Sequence, residues 1–164
     1  MKVIFLDNDG VICLPREWGS RFRKIKRWEL EGGEGEPPAH IRLDDLNKFA
    51  VNILNEIIIE TGAELVCSSD WRLYATLDEM KDLYIQGGLI KGPIDFTPVL
   101  QTTTKRNNIR VDEINLWLSK HPEVTHWVAL DDMDLSDLDN FVKCREREGL
   151  KQCNISSKIL KFLQ

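Results

Sequence analysis

The sequence has no long hydrophobic run, and this excludes one class of protein. No apolar stretch approaches the roughly 20 residues that an α-helix needs to cross a bilayer,. The opening segment MKVIFLD has only a short apolar stretch before a charged motif, so it is unlike a secretion signal,. We therefore expect no membrane partner and a reducing, cytoplasmic location.

Cysteine and net positive charge are also scarce. The four cysteines form no CxxC pair and no zinc-binding pattern, and those at positions 13 and 67 lie in apolar surroundings typical of small core residues,. The formal net charge is −5, so the chain as a whole is not built to coat nucleic acid,. A local basic patch could still hold one phosphate-bearing end. The cysteines are Cys13, Cys67, Cys144 and Cys153.

What is present is an alternation of buried strands and helices in a chain of 164 residues, the usual size of one domain,. Apolar runs at 2–6, 63–67 and 125–130 predict buried strands, and this pattern favours an α/β fold with a mostly parallel sheet. Residues 89–100 are expected to be irregular or an edge strand. Helices are predicted at about 43–58, 76–85, 109–118 and 154–163, with a short strand at 141–144.

Residues 12–40 interrupt this alternation. Cationic and aromatic residues are interleaved between Arg16 and Trp28, and a glycine-rich acidic run, ELEGGEGEPP, follows them. We predict a flap or small cap inserted after the first strand. Its side chains could contact a nucleotide by charge and stacking, or the segment could be a packed aromatic hairpin with solvated charges. The residues are Arg16, Trp18, Arg21, Phe22, Arg23, Lys24, Lys26, Arg27 and Trp28.

Polar motifs follow each of the three buried strands. Asp7 and Asp9 come directly after the first strand, where one carboxylate could attack phosphorus and the other could handle the leaving-group proton. Ser68 and Ser69 follow the second strand, where a hydroxyl or the nearby Arg72 could bind phosphate. The alternatives are a surface turn for the first motif and a helix cap for the second.

The third strand ends in Asp131 and Asp132, adjacent carboxylates that repel each other unless a cation is present. Such hard oxygen ligands suit Mg²⁺, although a solvated acidic loop is the alternative. Just before this strand and its helix lie Lys105, Arg106 and Arg110. A cation there could neutralise a transferring phosphoryl group, or these residues could form a solvent-facing basic turn.

The order of these motifs resembles the haloacid dehalogenase (HAD) superfamily of aspartyl phosphohydrolases. The resemblance implies a HAD-like Rossmannoid three-layer sandwich over residues 1–164. It also implies that Asp7 is the nucleophile, Asp9 the general acid/base and Ser68 the phosphate-binding hydroxyl. Asp131 and Asp132 match the metal-binding acidic pair of the superfamily.

A closer resemblance is to the HAD phosphatase domains of "Swiss army knife" RNA-repair proteins. It rests on the segments SSDWR, RVDEINLWL, WVALDDMDL and FVKCREREGL. This resemblance implies removal of a phosphate from an RNA or DNA end as one candidate activity. One departure is the third motif, where the superfamily usually has a lysine and this helix begins with Arg110, with Lys105 a little earlier.

The sequence therefore predicts a Mg²⁺-dependent phosphohydrolase that forms an aspartyl-phosphate on Asp7. A nucleotide or small-metabolite phosphatase, a non-catalytic phosphate-binding module and phosphotransfer to another acceptor stay open as alternatives. The predicted metal ligands are Asp7, the backbone carbonyl of Asp9, and Asp131 and/or Asp132. The predicted phosphate-binding residues are Ser68, Ser69, Arg72, Lys105 and Arg110.

Overall fold

A parallel β-sheet flanked by helices forms the centre of the computed structural model, which describes residues 1–101 and 109–164. Over those residues the sheet has five strands in the order β3-β2-β1-β4-β5, and every neighbouring pair is parallel. The predicted α/β architecture is confirmed. The strands are β1 (Lys2–Leu6), β2 (Glu64–Cys67), β3 (Asp95–Phe96), β4 (His126–Asp131) and β5 (Phe141–Lys143).

The sheet is covered on both faces, which explains the nearly continuous apolar sequence of β1. Successive side chains of a strand point to opposite faces. Ile4 and Leu6 pack into the larger core with α3, α4 and α6, whereas Val3 and Phe5 pack on the other face with α5. These helices are α3 (Lys48–Thr61), α4 (Leu77–Gln86), α5 (Ile109–Ser119) and α6 (Ile155–Leu163).

The start of α3 differs from the sequence-based prediction. Apolar spacing predicted a helix from residue 43, but α3 begins at Lys48. The side chain of Asn47 accepts hydrogen bonds from the backbone N–H groups of Phe49 and Ala50, and it thereby caps the helix,. Leu43 and Leu46 still pack against the core, so their apolar character reflects burial before the helix rather than within it.

The segment after β1 is helical. It forms α1 (Ser20–Leu30) and the single turn α2 (Ala39–Arg42), so the alternative of an aromatic hairpin is wrong. α2 contacts both α1 and α4. The guanidinium group of Arg42 holds this arrangement, because it donates to the carbonyl oxygens of Pro37 and Tyr74 and to the carboxylate of Glu79.

Among the residues that the structure describes, none of the helices combines the length and the apolar character needed to span a membrane.

Candidate active site

The three predicted motifs meet at one edge of the sheet. β1 lies between β2 and β4, so the carboxyl ends of all three strands are adjacent, a position where open α/β sheets bind ligands,. The backbone N–H of Asp7 donates to the carbonyl of Leu130 at 3.0 Å, and the N–H of Ser68 donates to the carbonyl of Leu6 at 3.0 Å. The register of the sheet therefore brings the motifs together.

Three carboxylates form an acidic cluster at this edge. Asp7, Asp131 and Asp132 each offer an oxygen atom, and these atoms lie within 4.8 Å of one another. Burial, with the neighbouring charge of Asp131, raises the pKa of Asp7 to about 8,. Burial and Asp131 also raise the pKa of Asp132 above its ordinary value. The cluster therefore favours either a bound proton or a bound cation.

A glycine makes the close approach of Asp132 possible. Gly10 has a φ of +71°, and a Cβ atom at this position would lie 2.6 Å from Oδ2 of Asp132. Only glycine fits there without strain or displacement of that carboxylate.

Arg110, in the first turn of α5, is a cation that contacts the cluster. Its Nη1 atom lies 3.2 Å from Oδ1 of Asp7 and 2.8 Å from Oδ2 of Asp131, and its Nη2 atom lies 3.0 Å from Oδ1 of Asp70. Burial acts to lower the pKa of Arg110, but the carboxylates of Asp7 and Asp131 outweigh it and raise that pKa. Lys105, the other predicted cation, and Arg106 lie outside the described residues.

Asp9 occupies a different environment from Asp7. It is half-buried and lines two surface grooves, and its Oδ2 atom accepts a hydrogen bond of 2.9 Å from Nε1 of Trp71. The two predicted catalytic carboxylates are thus separated, one among acidic residues and one beside an indole N–H and solvent. Such a difference suits two carboxylates that perform different tasks.

Both predicted serines are buried at the end of β2, but only one is recorded in contact with Asp7. The Ser69 hydroxyl hydrogen-bonds the Asp7 carboxylate, which acts to lower the pKa of Asp7. The Oγ atom of Ser69 also accepts a hydrogen bond from the backbone N–H of Trp71. Ser68 lies beside it, and its backbone carbonyl accepts a hydrogen bond from Arg72.

Arg72 braces the site from within the protein. Its side chain is buried, and all three of its nitrogen atoms donate to protein oxygens. These bonds tie the turn after β2 to α5, because Glu113 lies one turn after Arg110. The predicted phosphate-binding role of Arg72 therefore gives way to a positioning role. The acceptors are the carbonyls of Ser68, Ser69 and Thr97 and the carboxylate of Glu113.

Comparison with known proteins agrees with this arrangement. The family model of the HAD domain in Swiss Army Knife RNA repair proteins matches residues 3–155. The chain belongs to this family. Searches of the curated proteins and of the solved structures found no match. The predicted resemblance and the Rossmannoid fold class are confirmed, and membership indicates that this HAD domain is a phosphohydrolase.

Two grooves open from Asp9 in this HAD domain. One has a volume of about 760 Å³ and runs past Trp71 and Tyr74, and the other has a volume of about 490 Å³ and runs past Trp18 and Phe22. The linings of both are acidic. Besides Asp9, the larger groove is lined by Asp44, Asp70, Glu36 and two arginines, Arg21 and Arg42, which are paired with Asp44 and Glu79.

Several residues of the HAD domain's site were not singled out from the sequence. Trp71 was noted only as part of the motif SSDWR, although it contacts Asp9. Asp70, in the same motif, pairs with Arg110. Glu113 pairs with Arg72, and its position three residues after Arg110 was the available signal, since residues at that spacing share a helix face,.

Proposed function

We propose that this HAD domain is a Mg²⁺-dependent phosphomonoester hydrolase that works through an aspartyl-phosphate on Asp7. One observation carries the proposal. The buried Asp7 carboxylate lies within a cluster with Asp131 and Asp132, beside the Arg110 guanidinium, while Asp9 stands apart at the mouth of two grooves.

The acidic cluster fits Mg²⁺. Its carboxylates are hard oxygen ligands that raise one another's pKa, so a divalent cation would relieve their repulsion,. We infer that Asp7, Asp131, Asp132 and the backbone carbonyl of Asp9 form the set that would hold the ion. When bound, Mg²⁺ supplies positive charge that stabilises the phosphoryl oxygens in the transition state.

The proposed reaction has two steps. A carboxylate oxygen of Asp7 attacks phosphorus, the bond from phosphorus to the leaving oxygen breaks, and Asp9 donates its proton to that oxygen. Asp9 then takes a proton from water as the water oxygen attacks the phosphorus of the aspartyl-phosphate, which releases phosphate and restores Asp7. Ser68, Ser69 and Arg110 are proposed to bind the phosphoryl oxygens, together with Lys105.

The proposed substrate is the phosphorylated end of a nucleic acid. The proposal is supported by the family, which is that of HAD domains in RNA repair proteins, and by the openness of the site toward two grooves. The segment at about 12–40 is proposed to act as a flap beside it, since Trp18, Arg21 and Phe22 line the smaller groove.

A second candidate is a nucleotide or small-metabolite phosphatase. It is favoured by the acidic lining of both grooves, which suits a leaving group without extended negative charge,. A panel of phosphorylated small molecules, run beside oligonucleotides, separates the two candidates.

The decisive experiment measures phosphate release from an aryl phosphate and from a 3′-phosphorylated oligonucleotide, with Mg²⁺ or with EDTA. We expect metal-dependent release that is abolished in Asp7→Asn and retained in Asp137→Asn, a control at an exposed carboxylate of the same loop region. Preference for the oligonucleotide supports the nucleic-acid end. Absence of release from both substrates, with no Mg²⁺ binding in calorimetry, contradicts the proposal and favours a binding module.

A further inference from the structure

The cations of α1 and the residues before it fall into two groups. Arg21 and Lys24 are half-buried, and each forms an ion pair, with Asp44 at 2.9 Å and with Asp45 at 2.7 Å. The other four are exposed and have no carboxylate partner among the described residues. These four are Arg16, Arg23, Lys26 and Arg27. In a chain of net charge −5, such a group of unpaired cations is a local exception.

Most of these cations line two adjoining grooves on the side of α1 away from Asp9. The grooves have volumes of about 560 Å³ and 340 Å³ and share Ser20, Arg23 and Asp45. Arg16 lines the first and Arg27 the second, and Lys48 at the start of α3 adds a further exposed cation to the first.

The carboxylates in these outer grooves are already engaged. Asp45 pairs with Lys24, and Glu17 accepts a hydrogen bond from Asn47. The outer grooves are therefore positively charged, whereas both grooves that open from Asp9 are acidic.

We propose that the outer face of α1 binds the phosphodiester backbone of a single-stranded nucleic acid whose phosphorylated end lies in the active site. This inference rests on the proposed function, and it assigns the two kinds of groove to two parts of one substrate. The acidic grooves near Asp9 receive one terminal nucleoside, which carries no charge of its own. The charged backbone then lies on Arg16, Arg23, Arg27 and Lys48 rather than in the acidic grooves.

The first turn of α1 connects the two regions. Gly19, Arg21 and Phe22 line the groove beside Asp9, and Ser20 and Arg23 line the outer grooves, so a strand need cross only this turn. Arg23 and Arg27 lie one helical turn apart, roughly 6 Å along the axis, and so form a line of charge.

Exposed aromatic rings favour a nucleic acid over an acidic peptide as the occupant. Phe22 is 65% exposed beside the crossing, and Phe49 is 59% exposed in the outer groove. Bases can stack on such rings whatever the sequence, whereas aspartate and glutamate side chains offer no flat surface to them.

The test measures binding without turnover. A fluorescein-labelled single-stranded oligonucleotide with a 3′-phosphate is titrated in EDTA over a range of salt concentrations, and its anisotropy gives Kd. The variant carries Arg23→Gln and Arg27→Gln. The matched control carries Lys158→Gln and Lys161→Gln, two exposed cations on α6, and has the same net charge as the variant.

We expect the α1 variant to bind at least tenfold more weakly at low salt, and its slope of log Kd against log salt to fall by about 1.4, about 0.7 for each lost phosphate contact on a single strand. The control pair should bind as the wild type does. A mononucleotide substrate should show the same KM in the α1 variant and the wild type.

Three results would overturn the proposal. Equal weakening in both pairs would mean that only overall charge matters, and stronger binding of a poly-glutamate competitor than of the oligonucleotide would mean an acidic protein partner. Absence of oligonucleotide binding by the wild type would also reject it. Release of phosphate from an aryl phosphate by the same preparation would show that the proposed chemistry stands independently of this surface.

Discussion

The indole N–H of Trp71 donates a 2.9 Å hydrogen bond to Oδ2 of Asp9, although the two residues are 62 positions apart in the sequence. Trp71 lies in the 3₁₀ turn Asp70–Leu73 that follows β2, and its own backbone N–H is held by Ser69. The carboxylate proposed to protonate the leaving group is thus oriented by a side chain from the neighbouring strand's loop.

Trp71→Phe should lower kcat by about tenfold to a hundredfold with little change in KM. The change removes one hydrogen bond to a charged group, which is worth roughly 1.5–3 kcal/mol, while an aromatic ring remains in place. Steady-state kinetics on an aryl phosphate measures the effect. The control is Trp127→Phe, in which an aromatic ring of β4 that packs against Phe5 is changed instead. Equal losses of kcat in both variants would count against an orienting role.

Gly10→Ala should weaken Mg²⁺ binding as well as stability. The added Cβ would displace the Asp132 carboxylate, and alanine at positive φ costs about 1–2 kcal/mol,. Gly62→Ala provides a matched control, because Gly62 has a φ of +67° with no atom within 4 Å of the added Cβ. Calorimetric titration should show reduced Mg²⁺ affinity only for Gly10→Ala, while urea unfolding shows destabilisation of both. Unchanged Mg²⁺ affinity in Gly10→Ala would remove Asp132 from the proposed ligand set.

Glu113→Gln should destabilise the protein by about 3–5 kcal/mol, because it leaves the buried charge of Arg72 without its carboxylate partner. The ion pair between Arg72 and Glu113 measures 2.6 Å, with both side chains nearly inaccessible. Glu64→Gln removes a pair of 2.9 Å with Lys91 that is about one-third exposed, and its expected cost is below about 1 kcal/mol,. Urea unfolding of the two variants gives the comparison, and similar costs would contradict the bracing role of Arg72.

The metal-free protein should lose stability as pH rises between about 4 and 8. The pKa of Asp7 is 3.8 in its ordinary state and about 8 in the folded protein. Within this window the folded state holds a proton that the unfolded state has released, so the free energy of unfolding falls with rising pH. Urea unfolding in EDTA measures this slope.

Mg²⁺ should oppose that loss, because the ion binds the ionised carboxylate, and its stabilising effect should therefore increase with pH. Asp7→Asn should show a weaker pH dependence in EDTA. An identical slope in wild type and Asp7→Asn would mean that another group titrates.

The parts of the site that the sequence predicts are those encoded by local pattern. Short apolar runs that end in Asp7, Ser68 or Asp131 mark three buried strands, and parallel strands bring their carboxyl ends together. α4 was equally accessible, because Thr76 and Glu79 form a capping box at its start,.

The remainder depends on contacts between distant residues. The bond between Trp71 and Asp9 and the pairing of Arg72 with Glu113 arise only when the loops are packed together, and no periodicity records them. The beginning of α3 was misplaced because Leu43 and Leu46 are apolar for reasons of burial outside the helix. The helical form of residues 20–30 was missed because charge and aromatic content say little about backbone conformation.

The central position of β1 also determines the order in which the protein can mature on the ribosome. β1 is the first strand to be synthesised, yet it needs β2 on one edge and β4 on the other. Until translation has passed Asp131, one edge of this apolar strand lacks its partner, and an unpaired edge invites association with other chains. A nascent chain interrupted before that point lacks two of the three clustered carboxylates and exposes a sticky strand, so premature release yields aggregation rather than a partly active enzyme.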